Sequence, residues 1–336
     1  MRPRVAIILL NWNGWKDTVE CLESLYQIRY PNYLVLVVDN DSSDQSLEQI
    51  RDYCNGKISV ESEFFENDPS FKPIQLYEYS REEAEKAVIK DADDIRNGDS
   101  KNKLILIKNH ENQGFSAGNN LGIKFAMQIF DQDYTLLLNN DTVVDRKFLS
   151  HLIDAAAERP EAGVIGPKFY LYDFYGRKDV IWSVGGTVNL SHYPGYHDIK
   201  DGDDLPTHLM DVDWVSGAAL LMKTREIPFK FLNEEFFFGC EDVDLCIRLQ
   251  EKGYQIVTVL DSVLWHKASV SKSKIRVRGQ IREIKTNLKF LKMHSKNYYW
   301  LLPLYIFQMF VWFGSLLIKR IYRDFSAFLD KKIVNR

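Results

Sequence analysis

Cysteine is scarce in this 336-residue chain: Cys21, Cys54, Cys240 and Cys246 form no C-x-x-C pair and no spacing that joins them to histidines. That argues against a disulfide or Cys/His framework and predicts reduced, buried thiols of a cytosolic protein. Internal repeats and low-complexity runs are absent. So is a leading apolar run of signal-peptide length, because Val5–Leu10 passes directly into Asn11, Trp12, Asn13 and Gly14. The folded body is therefore expected to stay in the cytoplasm. Composition excludes global disorder, since 45% of residues are hydrophobic and 27% charged, enough for one large α/β domain with an appendage. The net charge of −4 conceals a division. Met1–His266 carries 27 basic against 44 acidic residues, or −17, and Lys267–Arg336 carries 16 against 3, or +13. A basic last fifth points to a polyanionic surface, either nucleic acid or anionic lipid.

Along the first 150 residues short apolar runs alternate with amphipathic stretches. Val5–Leu10, Leu34–Val38, Leu104–Ile107 and Tyr134–Leu138 read as buried strands. Asp17 with Glu20 reads as a capping box for a helix that turns Val19, Leu22 and Leu25 inward, and a second helix runs from Gly114 to Phe130. Such alternation predicts an α/β fold with a mainly parallel central sheet flanked by helices, in which ligands bind beyond the carboxyl ends of the strands. Asn11, Asp39 and Asn139 stand at those ends. The acid-rich interval 55–103 breaks the rhythm and is expected to be an insertion, with Ser80 and Glu83 capping a polar helix to about Ile95. After Ser150 the reading is a helix over Arg146–Glu158, strands over Val164–Tyr170, Trp182–Asn189 and Val212–Met222, a helix over Asp242–Lys252 and a strand over Tyr254–Leu260.

Four polar clusters carry chemistry. Asp39, followed by Asp41 and Asp44, offers carboxylates suited to a ribose or a base edge, or else caps a helix at Ser42 or Ser43. Asn139-Asn140-Asp141 projects oxygen ligands suited to Mg²⁺ or Mn²⁺ bridging a diphosphate, unless it is an ordinary turn. Glu241, Asp242 and Asp244 open a helix after Phe236-Phe237-Phe238. Capping accounts for one of these acids, and another suits a general base tuned by apolar neighbours. Trp265-His266 ends the strand region, where a neutral imidazole suits Mn²⁺ if it faces the same cleft.

In this order these clusters resemble the family 2 glycosyltransferases, particularly the bacterial rhamnosyltransferase-like branch. The resemblance rests on VAIILLNWNG (5–14), VVDNDSSD (37–44), NQGFSAGNNLG (112–122), LLLNNDT (136–142), VSGAALLM (215–222), FFFGCEDVDLCIR (236–248) and Trp265-His266, covering residues 3 to about 270. It implies a GT-A (nucleotide-diphospho-sugar transferase) fold over 1–270, with the insertion at about 55–103, and a basic, aromatic, helical extension over 271–336. It further implies that Asp39 and Asp41, with the backbone near Asn11 and Asn13, bind the nucleotide, and that Asn112, Gly114 and Asn119 line the donor pocket. Asp141 falls on the last position of the D-x-D metal motif, whose first position is Asn139 here, and His266 on the late metal ligand. Asp242 falls on the catalytic base, with Glu241 holding the acceptor. The activity implied is inverting and dependent on Mn²⁺ or Mg²⁺. A sugar would move from dTDP-rhamnose or a UDP-sugar to a glycan or lipid-linked acceptor in surface polysaccharide synthesis.

Residues 297–318 contain no charge and carry Tyr298, Tyr299, Trp300, Tyr305 and Trp312, with Pro303, Gln308 and Gly314 weakening a simple span. Lys285, Lys289, Lys292 and Lys296 precede the run and Lys319, Arg320 and Arg323 follow it. The expectation is a helix in the interface or a re-entrant hairpin at the cytoplasmic face of an anionic membrane, with Lys272, Lys274, Arg276, Arg278 and Arg282 adding electrostatic hold. A helix pair packed on the body, or a homodimer contact, is the competing reading. A nucleic-acid partner fits the uncharged aromatic centre poorly. A sugar nucleotidyltransferase would need a glycine-rich basic loop after the first strand, and Asn11-Trp12-Asn13-Gly14 is none. A sugar-binding or membrane scaffold protein with a degenerate site remains the non-enzymatic alternative, encouraged only by Asn139.

Overall fold

The computed structural model describes residues 2–86, 90–96, 102–191, 196–199, 201–226, 231–268, 277–307 and 310. They divide into two compact units, residues 1–188 with 197–286, and residues 189–196 with 287–336. In chain order the first half of the larger unit runs β1 (Val5–Asn11), α1 (Trp15–Tyr26), β2 (Tyr33–Asp39), α2 (Ser46–Cys54), β3 (Gln75–Ser80), α3 (Arg81–Glu85), α4 (Ala92–Arg96), β4 (Lys103–Lys108), α5 (Gly114–Ile129) and β5 (Tyr134–Asn139). There follow β6 (Thr142–Val144), α6 (Phe148–Glu158), β7 (Ala162–Leu171), β8 (Ile181–Ser183), β9 (Gly186–Val188), β10 (Tyr196–Asp198), β11 (Leu209–Asp211), β12 (Ala219–Lys223), α7 (Glu241–Gln250), β13 (Gln255–His266) and α8 (Val277–His294).

The main sheet has the order β11-β13-β7-β12-β5-β1-β2-β4-β3, with β6 on β13 and β8 on β7. Across β5-β1-β2-β4-β3 every pairing is parallel. β1, β2, β4 and β5 are buried along nearly their whole length, as strands covered on both faces must be. The other half is mixed: β12 runs antiparallel to β5 and β7, and β7 runs parallel to β13. Register settles where the polar strand ends fall. Asn11 lies opposite Asp39, and Leu10 opposite Asn139, so three apolar strands expire at one level and leave their polar residues along one edge.

Several local expectations need correction. α1 starts at Trp15 with Gly14 as N-cap and no side-chain cap, because Asp17 and Glu20 are drawn instead to Lys267 Nζ, at 2.6 and 2.7 Å. The Ser80–Glu83 capping box forms, but its helix stops at Glu85 and the separate α4 buries Ile95. The interval 55–103 is not wholly an excursion either, since β3 within it adds an edge strand parallel to β4 and turns Tyr77 and Tyr79 inward. The strand expected over Trp182–Asn189 is two short ones broken at Gly185, whose φ of +86° suits glycine and where a Cβ would lie 2.6 Å from the Trp214 carbonyl. Val212–Met222 is likewise no single strand: residues 212–218 form a loop between β11 and β12. β13 runs beyond Leu260 to His266. The four cysteines are free and buried, and burial pushes the thiols of Cys21 and Cys54 up to about 12.

Residues 55–74 are anchored by an ion pair in the interior. Lys72 Nζ lies 3.0 Å from Glu23 Oε2, with both side chains almost wholly buried. The Tyr53 hydroxyl donates to the same carboxylate at 3.0 Å, the Asp68 N–H donates to Oε1 at 2.8 Å, and the ammonium sits 4.3 Å from the Tyr53 ring centroid. Removing one partner strands the other charge, whereas removing both does not. Lys72→Met should therefore destabilise the fold by about 3 kcal/mol or more, and Glu23→Gln/Lys72→Met by clearly less, as read from urea midpoints; equal losses would show that the pair is not coupled.

Candidate active site

The polar edge at the carboxyl ends of β1, β2 and β5 is a connected network. Asn11 Nδ2 donates to Asp39 Oδ1 at 2.7 Å and to Ser42 Oγ at 3.1 Å, and its Oδ1 accepts from Thr18 Oγ1 at 2.8 Å. Asp39 also accepts from the Ser42 hydroxyl and, through Oδ2, from the Ser42 N–H. The helix cap expected at Ser42 or Ser43 does not form: α2 starts at Ser46, whose N–H donates to Asp44 Oδ1. Asn13, with φ +52°, accepts from the N–H groups of Ser43 and Asp44. Asn11 and Asn13 are thus braces that hold the loop 40–44 against the loop 12–14, while Asp41, also left-handed at φ +65°, stays exposed on that loop.

A second buried residue, Asn40, links this edge to α5. Its Nδ2 donates to Asn112 Oδ1 and to the Gly114 carbonyl, and its Oδ1 accepts from Asn109 Nδ2 and the Gln113 N–H. Asn112 Oδ1 accepts the Gly114 N–H as well. Gly114 has φ +83°, and a Cβ there would stand 2.4 Å from the Phe237 carbonyl, which instead accepts the Phe115 N–H at 2.7 Å. Ser116 and Asn120 bind the carbonyls of Phe236 and Leu232 in the same way, and Asn119 turns back to the Phe115 carbonyl. The start of α5 therefore fastens the segment that delivers the acids of α7.

That segment ends in Gly239 (φ +90°) and Cys240 (φ +67°), a left-handed pair that turns the chain sharply into α7. The three acids then part company. Asp244, fully buried, pairs with Arg248 at 2.8 Å and serves the helix. Asp242 stays partly open to solvent; its Oδ2 accepts the Gly217 N–H and its Oδ1 the Val243 N–H, both at 2.8 Å. Glu241 is 5% exposed and its Oε2 has no partner. Burial, and next the charge of Asp242, push the Glu241 carboxyl up to about 8; burial also raises Asp242, against the pull of its two N–H donors. Both shifts are upward, so at neutral pH this pair of carboxyls holds a proton.

The 212–218 loop carries the acids to the strand ends, because Ala218, next to Gly217, accepts the Asn139 N–H at 2.8 Å. Asn139 is partly exposed at the end of β5. Asn140 turns inward to Thr18 Oγ1 at 2.9 Å, and the short β6 pairs with β13 so that His266 faces Thr142. Asp141 Oδ1 then meets His266 Nε2 at 3.1 Å. The imidazole is gripped edge to face by Trp182, centroids 4.5 Å apart, and its Nδ1 is buried without a partner. Burial raises the Asp141 carboxyl, but His266 and the Lys267 charge outweigh it and the net shift is downward. An oxygen and a nitrogen 3.1 Å apart match one edge of an octahedral site, since ligands at about 2.1 Å and at right angles are about 3 Å apart. Among the described residues no group of three ligating side chains forms. A cation here would have two protein ligands and draw the rest from water and diphosphate oxygens, as Mg²⁺ and Mn²⁺ do.

Sequence reasoning had given no role to Asn40, Thr18, Gly217 or Lys267, and Asn140, offered as an oxygen ligand, instead turns inward to Thr18. The first lies inside a polar run already singled out, whereas Lys267 shows its place only in space: its N–H donates to the Asp141 carbonyl and its ammonium lies 4.8 Å from the Tyr172 ring. The excursion reaches the same neighbourhood, with Phe64 packed 4.7 Å from both Tyr172 and Trp265.

Residues 66–286 match the profile described as glycosyltransferase like family 2, and residues 6–67 that of glycosyl transferase family 2. The low-salt glycan biosynthesis hexosyltransferase Agl10 of Haloferax volcanii is 23% identical over 197 residues, 56% of this chain and 60% of that protein. Rhamnosyltransferase WbbL of Escherichia coli is 26% identical over 157 residues, 43% of this chain and 56% of that protein. The chain thus spans less than two thirds of the length of either relative. The mannosyltransferase PcManGT of Pyrobaculum calidifontis, solved with GDP-Man and Mn²⁺, superposes with a TM-score of 0.53 at 15% identity over 88% of this chain and 66% of that one. GalNAc-T7, solved with UDP, GalNAc and Mn²⁺, gives 0.51 at 10% identity over 79% and 44%. The chain has the GT-A fold and belongs to glycosyltransferase family 2.

Proposed function

We propose that this protein moves a hexose from a nucleoside-diphosphate sugar to an acceptor hydroxyl by single displacement with inversion. One observation carries the reading: hydrogen bonds link the solvent-reaching carboxylate of Asp242 through Gly217 and Ala218 to Asn139, two residues before the Asp141 that pairs with His266. Asp242 takes the proton of the acceptor hydroxyl as its oxygen attacks the anomeric carbon, and the bond from that carbon to the diphosphate oxygen breaks. Two N–H donors hold this carboxylate in place. Glu241, protonated beside it, hydrogen-bonds the acceptor without competing for its proton. Asp141 and His266 would hold a divalent cation, Mn²⁺ or Mg²⁺, which would supply positive charge to the departing diphosphate. Asp41 and the backbone at Asn13 face the nucleotide on a loop that the buried Asp39 braces, and Asn112, Gly114, Asn119 and Asn139 shape the donor pocket. Among donors dTDP-rhamnose comes first and UDP-sugars second, on the strength of the rhamnosyltransferase and hexosyltransferase relatives. The acceptor class is a glycan or lipid-linked sugar of a surface polysaccharide.

Screening nucleotide sugars for thermal stabilisation with Mn²⁺ should single out one donor. If none stabilises the protein and Mn²⁺ elicits no donor hydrolysis, the scaffold reading with a degenerate site replaces this one. Asp242→Asn should lower kcat by about a thousandfold, within the range of general-base catalysis, with donor affinity unchanged; turnover retained would remove Asp242 from this role. Asp141→Asn and His266→Ala should each raise the Mn²⁺ concentration for half-maximal activity at least about tenfold, and full activity in EDTA would contradict the cation's role.

Glu241 also generates a pH dependence of stability. Its carboxyl titrates near 4.5 when unfolded and near 8 when folded, so between those values the folded state binds the extra proton. Its contribution is complete below about pH 4.5 and is lost as pH rises to about 8, at up to about 1.4 kcal/mol per pH unit. Glu241→Gln should therefore gain stability relative to the parent between pH 5 and pH 8 in urea titrations. A constant difference between the two would refute the raised titration.

A further inference from the structure

The smaller unit exposes an apolar face that the transfer reaction does not use. A helical segment at 298–307 follows α8 after a short turn. Leu301 and Tyr305, one turn apart, are buried on one side of it. Tyr299, Trp300, Leu304, Ile306 and Phe307 are exposed on the other, with Trp300 at 84%, and Phe310 continues the same rows. At 100° per residue positions 299, 303, 306 and 310 and positions 300, 304 and 307 form two adjoining rows, so the exposed side is one broad apolar arc without a charged residue. Contiguous exposed rings of this kind mark an interaction surface.

Charge decides what that surface meets. The exposed Lys292 and Lys296 immediately precede the arc, at the end of a lysine row on α8 that begins Lys285, Lys289. The chain from Lys267 onward carries +13, while the 22 residues 297–318 carry none. An uncharged aromatic face bordered by cations is complementary to a bilayer surface with anionic headgroups: tyrosine and tryptophan rings settle at the headgroup level and lysines engage lipid phosphates. A second copy of this chain would bring its own +13 and repel. Among the described residues no helix is long and apolar enough to cross a membrane, and the buried Leu301 and Tyr305 assign one side of this segment to the protein, which a lipid-surrounded span would not have. Trp312, Gln308, Gly314, Lys319, Arg320, Arg323, Lys272, Lys274 and Arg276 lie outside the described residues, as do the side chains of Arg278 and Arg282.

We infer that the 298–310 face docks this enzyme in the plane of an anionic membrane, with Trp300 and Phe307 as its anchors and the lysines beside it as its electrostatic hold. The inference is independent of the donor and of the base assigned above. The test is sedimentation of the full chain with phosphatidylcholine vesicles, with and without about 25% phosphatidylglycerol. Binding should require the anionic lipid and weaken with salt. Trp300→Glu/Phe307→Glu should weaken it at least about tenfold, Lys292→Glu/Lys296→Glu severalfold, and both variants should keep the parent's donor hydrolysis and circular dichroism. Failure of the parent to bind, or undiminished binding by Trp300→Glu/Phe307→Glu, would overturn the inference. So would a dimer that this pair of substitutions dissociates while vesicles leave the parent unbound, because the face would then belong to a second copy.

Discussion

The active edge depends on one buried hydrogen bond, Asn11 Nδ2 to Asp39 Oδ1. Two parallel strands of purely apolar residues would otherwise end with nothing to stop their loops from drifting, since apolar packing is non-directional. A charge-assisted bond between the last residues of β1 and β2, in register and almost wholly out of water, fixes both ends at once. Ser42 and Thr18 complete the acceptor capacity of the pair, so the loops that leave these strands start from rigid points. Asn40 passes that rigidity on to the beginning of α5.

The second half of the site is positioned by backbone contacts rather than by a strand end. The carbonyls of Leu232, Phe236 and Phe237 are all bound by the first turns of α5, so the phenylalanine run cannot shift without breaking hydrogen bonds made in a dry environment. The left-handed turn at Gly239 and Cys240 then points two carboxyls toward one place. Their proximity in apolar surroundings is unfavourable unless one keeps a proton, and the N–H groups of Gly217 and Val243 favour the charged form of Asp242 against its burial. The cost of this arrangement is the unpartnered Glu241 Oε2, which an acceptor hydroxyl is suited to satisfy.

What could be read from the sequence follows from this division. β1, β2, β4 and β5 declare themselves as unbroken apolar runs, and their order implies the parallel half of the sheet; the polar residues that terminate them mark its functional edge. The C-terminal half was read from the same patterning with less accuracy: β7 and the first half of β13 were found, but Trp182–Asn189 and Val212–Met222 misled because the hydrophobic pattern does not register the breaks within them. β3 escaped notice for a different reason: as an edge strand it is polar on one side, and Gln75–Ser80 has only its tyrosines to bury. The Asp17–Glu20 pair looked like a cap because its partner, Lys267, is 250 residues away. Local rules cannot see a long-range cation that competes for the same carboxylates.

The charge division acquires a physical meaning from the same facts. Part of the −17 of the body is met locally by a cation counted with the tail, since Asp17 and Glu20 pair with Lys267, and these acids contribute little to the field outside. The remaining acids give the body a net repulsion from anionic headgroups. The basic stretch attracts it, and both effects fade within a Debye length of about 8 Å at physiological salt. Only charges brought close to the surface count, and on the docking inferred above the uncharged rings of 298–307 would bring the lysines that close. On that docking, aromatic insertion and electrostatic attraction would be successive requirements rather than two alternative anchors.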